Sequence, residues 1–269
     1  MRKLVIVPLA LVVALLPAFF LTQAQAGSKY VVTMNVAKTT INEGQALSFS
    51  GKVSPKAAGQ KVKIQQQSIV DGDVDWDTMT TATITTNGTY SKKFTPLSGR
   101  HKWRVYKSSS PGHAAGTSPA QTLSVFGWFK MANGTTQLEI ASGTQYLGRY
   151  GSIDVAGTTV SRYFATNQLG GDTTRWYTKH LCKRIRVDVG LWDESAPGSV
   201  GQFRIFADSD RIASVRVPYG TSIAIEETFS RSGTGSIKFT GEAREPIVGP
   251  TAIVAANPRI QCAGMPTTD

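Results

Sequence analysis

Two cysteines, three histidines and 18 acidic residues are all that a 269-residue chain offers for metal, redox or acid–base chemistry. GxSxG, HExxH and P-loop runs are absent, which removes the motif-level case for a serine hydrolase, a zinc peptidase or a P-loop NTPase. Two cysteines without CxxC spacing make a poor zinc set. Glycoside cleavage needs two carboxylates at a set separation. Asp188, Asp193, Glu194, Glu226 and Glu227 are available, but nothing in their spacing sets a pair across a cleft. The sequence therefore reads as a non-enzyme, with no catalytic residue, no metal and no cofactor. Acids are also outnumbered, 18 against 29 Lys and Arg, for a formal net charge of +11.

Long apolar runs are confined to one place. Met1, Arg2 and Lys3 precede an almost unbroken apolar stretch from Leu4 to Leu21, which ends at Ala24-Gln25-Ala26. A positive head, an apolar run and small residues at the first and third places before Gly27 are the marks of a secretory signal peptide. Residues 1–26 are expected to be removed; an uncleaved anchor is the alternative, since the run is long enough to span, although Pro8 and Pro17 interrupt it. No cysteine follows the cleavage site to carry a lipid, and 261–269 holds no apolar segment. The mature protein is expected to be secreted or extracellular, including association with the cell wall, without stable membrane insertion. In an oxidising compartment thiols pair, so Cys182 and Cys262 are expected to form a disulfide.

Helical periodicity is the next absence. From Tyr30 to Val125 short alternating segments recur with turn signals between them, the pattern of an all-β sandwich. Leu47, Phe49 and Val53 share one face of "ALSFSGKV", Val62 and Ile64 one face of "KVKIQ", and Trp103 and Val105 one face of "HKWRVYK". Farther on, "KRIRVDVGLW", "GQFRIFADSD", "IASVRV", "TSIAIEETF", "GSIKFTGEA" and "TAIVAANPRIQC" alternate similarly and suggest a second sandwich, a jelly roll. The expected fold is all-β, with two antiparallel β-sandwich domains at 27–126 and 146–269, residues 127–145 being a linker or the first strand of the second domain. "DGDVDWD", at 71–77, sits between two such strands and reads as a hairpin solvated by its aspartates. Counted from Asp71, the sixth and twelfth places of an EF-hand loop hold Trp76 and Ala82 rather than Gly and Glu, and only a looser calcium site stays open.

Basicity is concentrated in the first half. Residues 27–126 carry 12 Lys and Arg against 5 acids, whereas 127–269 carry 15 against 13. Lys61, Lys63, Lys92, Lys102 and Arg104 fall at outward positions of their strands. Such a face is either simply solvated or attracts an anionic polymer by focusing charge of one sign. Nucleic acid is disfavoured, since neither a binding motif nor an exported destination supports it.

Two resemblances follow from these residues. "G.V.P...GQKVKIQQ", a tryptophan-bearing strand, "T.NGTYSKKF" and "HKWRVYK" together resemble the immunoglobulin-like domains of secreted bacterial proteins. "VGLWDES", "VGQFRIFADSDRIASV" and the closing "NPRI" resemble the carbohydrate-binding modules at the N-termini of some glycoside hydrolases, which have a galactose-binding-like jelly roll. Asp208 is followed by Ser209 where that family usually has glycine. The resemblance implies a non-catalytic, glycan-binding protein of the cell envelope or of extracellular polysaccharide, whose partner is a glycan or anionic envelope polymer. A structural or adhesive surface protein that binds another protein is the alternative. Sugar binding needs aromatic faces and a few polar groups on loops, and "GGDTTRWYTKHLCKR" supplies them: Asp172, Arg175, Trp176, Tyr177 and His180 are candidate ligands, with Trp176 as core the competing reading. Trp192 and Asp193 are secondary candidates.

Overall fold

The computed structural model describes residues 27–131, 140–143, 152–165, 172–229, 234–244 and 251–264. The expected signal segment lies outside these residues, as do Gly170 and Gly171. Among the described residues every regular element is a strand, so the chain is all-β.

The first half contributes β1 (Ser28–Lys29), β2 (Val31–Val32), β3 (Asn35–Val36), β4 (Thr40–Asn42), β5 (Leu47–Ser54), β6 (Lys61–Val70), β7 (Asp73–Thr83), β8 (Thr89–Phe94), β9 (Gly99–Lys107), β10 (His113–Ala114), β11 (Gly116–Thr117) and β12 (Gln121–Lys130). Strands β7, β6, β9 and β12 lie side by side and antiparallel, while β5 pairs with β2, β3 and β8 in a separate sheet. Period-2 alternation buries one face of each. Phe49 and Tyr90 from the β5–β8 sheet meet Val62, Ile64, Trp103, Val105 and Leu123 from the other, each at most 2 % exposed. Phe49 and Phe94 flank Trp103, at 5.3 and 6.0 Å between ring centroids. Burying each large apolar side chain contributes roughly 1.5–3 kcal/mol, and this core closes the two sheets face to face.

The second half contributes β13 (Ile140–Gly143), β14 (Ile153–Val155), β15 (Thr158–Val160), β16 (Tyr163–Ala165), β17 (Asp172–Tyr177), β18 (Cys182–Leu191), β19 (Val200–Ala207), β20 (Asp210–Pro218), β21 (Ser222–Thr228), β22 (Ser236–Arg244) and β23 (Ile253–Cys262). One sheet runs β13-β17-β22-β19-β20; opposite it, β21-β18-β23 continue the first sheet through β12. Ile185, Val187 and Val189 of β18 pack against Phe203 and Ile205 of β19 and Trp176, Ile237 and Phe239, giving a second buried core. Cys182 and Cys262 are directly opposed on β18 and β23 and are disulfide-bonded, as expected.

Strand β12 belongs to both cores. Gln121–Val125 pair with β9, and Gly127–Lys130 pair with Arg259–Cys262 of β23. A boundary drawn after Phe126 therefore falls inside a continuous strand, and Gly127–Lys130 are strand rather than linker.

Candidate functional site

Outward positions of β6, β9 and β12 carry the first half's cations. Lys63 pairs with Tyr106 and Gln65 with Arg104 across β6 and β9, and Lys102 pairs with Thr122 and Arg100 with Ser124 across β9 and β12. Because side chains two apart share a face, Arg100, Lys102 and Arg104 form a row along β9, with Lys61 and Lys63 beside it on β6. Arg104 is fixed. Its Nε donates to Gln65 Oε1 at 2.9 Å, its guanidinium lies 4.0 Å from the Trp76 ring centroid, and Gln65 Nε2 donates to the Trp76 carbonyl. Burial lowers Arg104 from its ordinary pKa, with Tyr106 and Asp75 pulling it back up; a guanidinium so placed stays charged. Lys92 stands apart from this row. It is on β8, in the other sheet, opposite buried Phe49 and two residues from buried Tyr90, so it is exposed at an inward-phase position rather than on the outward face expected of it.

The hairpin around "DGDVDWD" forms as expected, with Asp71 (φ 53°) and Gly72 (φ 86°) as its two turn residues. Left-handed values at both are the requirement of a type I′ turn, which Asp-Gly meets well. Trp76 lies within the returning strand, facing Arg104, whereas Asp73, Asp75 and Asp77 alternate onto the opposite face. A bulge between Ile64 and Gln65 shifts the β6–β7 register.

Beyond Gln66 and Trp103 strands β6 and β9 separate. β6 continues with β7 to the turn, and β9 continues with β12 to Gly99. The gap is a cleft of about 720 Å³, lined on one side by Gln66, Gln67, Ser68 and Ile69 and on the other by Arg100, His101, Lys102 and Thr122. Ser68 Oγ is buried and has no hydrogen-bond partner among the described residues. His101 is half-buried, and burial lowers its pKa below the ordinary 6.5, so it lines the cleft as a neutral ring at pH 7. The lining of the cleft mixes amides, hydroxyls, an imidazole and two cations with the Ile69 side chain, and most of the surface it exposes is apolar. Reading the sequence misses Ser68, Gln66, Gln67, Arg100 and His101, since no motif marks where two paired strands part.

The stretch proposed from sequence is differently arranged. Asp172, Arg175, Trp176 and Tyr177 lie on β17, paired with β22, and His180 lies in the turn that crosses to β18, where Lys179 and His180 are both left-handed (φ 45° and 58°). Trp176 is 1 % exposed, with Phe164 and Phe239 at 4.8 and 4.9 Å between centroids. That corrects its proposed role: a ring enclosed by two others has no face for a sugar. Tyr177, 41 % exposed, shares the outer face with Arg175. Of Asp172 only the backbone is described, opposite Gly241.

Trp192 and Asp193 are taken up by structure. Val155 and Ala156-Gly157 belong to the β14–β15 hairpin, whose turn amides at 156 and 157 donate to Asp193 Oδ1 and Oδ2 at 2.7 and 2.8 Å. Trp192 packs against the small cluster of Val155, Val160, Tyr163, Val254 and Ala256. Glu226 is ion-paired with Arg184 and Arg186, and Glu242 with Arg204 and Arg244; the hydrogen bond from Arg204 pulls Glu242 below its ordinary pKa.

No protein-family model and no curated protein matches this chain. Among solved structures it is similar to the M60 catalytic domain with the CBM51-1 and CBM51-2 domains of Clostridium perfringens ZmpB, at 10% identity and a TM-score of 0.40, over 88% of this chain and 31% of that one. A second is CBM51 from Clostridium perfringens GH95 in complex with methyl-galactose, at 11% identity and a TM-score of 0.36, over 46% of this chain and 95% of that one. A third is the CBM22-1–CBM22-2 tandem of Paenibacillus barcinonensis Xyn10C, at 12% identity and a TM-score of 0.27, over 89% and 99%. These neighbours are carbohydrate-binding modules or contain them. This chain spans about a third of the first. All three scores lie below 0.5, and the function of this chain is therefore read from its own residues.

Proposed function

We propose that this chain is an exported, non-catalytic protein that binds acidic glycans of a cell envelope or of extracellular polysaccharide. The supporting observation is the cationic row Arg100, Lys102 and Arg104 on β9, flanked by Lys61 and Lys63 and continuous with the cleft between β6 and β9. One sheet face of single-sign charge raises the local concentration of polyanions, while amide and hydroxyl groups beside it suit a hydroxyl-rich chain. The disulfide fits an oxidising, extracellular destination. In this reading residues 27–126 form an immunoglobulin-like module and 146–269 a jelly-roll module, with Arg175 and Tyr177 as a second surface on the latter.

The test is binding of the full mature chain to polygalacturonate and to its neutral methyl ester. Preference for the acid, weakening steeply as salt rises toward 1 M, where screening acts within about 3 Å, is the expected result. Equal binding to both polymers would refute the electrostatic reading. The competing reading, an adhesive protein with a protein partner, draws on Ile69, Val70 and Val74, which are 71, 59 and 59 % exposed on the β6–β7 arm. Capture of one protein that releases when these three are changed to Ser, together with no glycan binding, would favour it.

A further inference from the structure

We propose that the outward face of β12, β23 and β18 is a further surface for an acidic polysaccharide, in which Trp128 covers the apolar face of a sugar ring while Lys130, Arg259 and Arg186 take its carboxylate or sulfate groups. The inference rests on the acidic-glycan reading and gives the second half a part in it. Ladder register sets the cations side by side. Lys130 pairs with Arg259 across β12 and β23, and Arg259 pairs with Arg186 across β23 and β18. Directly paired side chains share a face with Cβ atoms about 5 Å apart, and like charges at that spacing destabilise a sheet. Glu226 ends the row opposite Arg186, which it approaches at 3.9 Å, and it is also ion-paired with Arg184. Among the described residues neither Lys130 nor Arg259 has an ion pair, and both are exposed. Residues 127–269 carry 15 Lys and Arg against 13 acids, so composition alone does not crowd cations here. A local rule broken at an exposed place points to a functional surface, and a polyanion laid across the row would offset the repulsion.

An aromatic face adjoins these cations. Trp128 stands two residues before Lys130, opposite Gln261, which is in turn opposite Arg184. It is 37 % exposed, whereas Trp103 and Trp176 are each at 1 %. The Arg184 guanidinium, held by Glu226, lies 5.7 Å from the Trp128 ring centroid, within cation–π range. Indole stacked on a sugar hides the apolar C–H side of the ring, and guanidinium groups beside it meet an anionic substituent with paired donors. A neutral glycan would leave the cations idle, and a polyanion without rings would leave the indole idle. The surface also continues toward the first half. Trp128 and Lys130 have the same strand phase as Thr122 and Ser124, which pair with Lys102 and Arg100, so both groups of cations lie on one side of a continuous sheet. Ser124 and Trp128 are about 13 Å apart along β12, with Lys183 Nζ over the ring of the intervening Phe126. One polysaccharide chain can therefore cross from β9 to β18, and its second contact is intramolecular.

The experiment compares four full-length mature chains, the native protein, Arg259→Gln, Trp128→Ala and Trp128→Phe, against polygalacturonate, dextran sulfate, neutral dextran and a ring-free poly(glycerol phosphate). The native chain should prefer one or both acidic polysaccharides to dextran; which of the two distinguishes carboxylate from sulfate. Arg259→Gln should weaken that binding about fivefold or more, while its melting temperature stays level or rises because two like-charge contacts are lost. Trp128→Ala should weaken it roughly tenfold, the scale of an aromatic anchor, with no loss of binding to poly(glycerol phosphate), and Trp128→Phe should recover most of the loss. Damage to the fold would instead weaken both kinds of polymer together. If only Arg259→Gln is weakened, or Trp128→Ala loses both kinds alike, the stacking role is overturned. If the native chain prefers an acidic polysaccharide and Arg259→Gln and Trp128→Ala bind it equally well, this surface is wrong while the acidic-glycan reading stands. If the native chain prefers neither acidic polysaccharide to dextran, both fall.

Discussion

Asp193 and Asp208 are two carboxylates with no spare oxygen for a ligand. Asp193 spans the amides of Ala156 and Gly157, and Asp208 accepts from Gly235 N, Ser236 N and Ser236 Oγ at 2.8–3.0 Å. Each closes a turn by satisfying donors that the ladder leaves over. Asp193→Ala should therefore cost about 1 kcal/mol of stability, the net worth of such bonds at a partly exposed turn, read from the urea midpoint. Trp176→Ala should cost roughly 3–5 kcal/mol, as removal of a buried indole does; a melting temperature within a degree or two of the native one would return Trp176 to the list of ligands. His101 carries a pH signature. Its folded pKa lies below the unfolded 6.5 because burial disfavours the cation, so stability is complete above pH 6.5 and is lost as pH falls through the depressed value. The urea midpoint should drop between pH 7 and 5, and His101→Gln should remove part of that drop.

At the scale of elements, the β6–β7 arm shows what a sequence can and cannot disclose. Asp71-Gly72 between alternating segments specifies a two-residue hairpin, and Lys61, Lys63, Lys102 and Arg104 fall on one face because strand period is local information. Gly72→Val forces a β-branched residue into φ 86°, a cost on the order of 1–2 kcal/mol, and should raise amide exchange at Ile69 and Val74 while leaving Ile185 protected. Unchanged exchange in the arm would sink the turn assignment. The cleft itself was not legible. It depends on where the β6–β9 ladder ends and on the bulge at Ile64–Gln65, both set by pairing between segments about 40 residues apart in sequence. For the same reason Lys92 was grouped with cations of a sheet it does not join. Trp176 was ambiguous at source: "RWY" alternates out, in, out, and only the partners Phe164 and Phe239 reveal which side faces the core.

Across the whole molecule the two cores are coupled by one strand and a polar clamp. β12 spends its first half on β9 and its second on β23, and Gly127 lies opposite Cys262, whose disulfide joins β23 to β18. Beside this seam Asn42 Oδ1 accepts from Lys183 Nζ and Gln261 Nε2, at 3.2 and 3.3 Å, and the Lys183 ammonium sits 3.8 Å from the Phe126 ring centroid. Fraying of β23 would therefore strip β12 of one neighbour while its other half still serves the first core, so loss of one sandwich weakens the other. The disulfide is the place to test this. It closes a loop of 80 residues in sequence, worth about 4 kcal/mol on the chain-entropy model, and it lies wholly in the second half. Cys182→Ala/Cys262→Ala should lower the melting temperature of the entire chain as one transition, with amides of Val62 and Ile64 losing protection together with those of Ile185 and Val187. Were the first pair to keep native protection at a temperature where the second pair exchanges freely, the cores would be independent, and the shared strand would be a tether rather than a coupling.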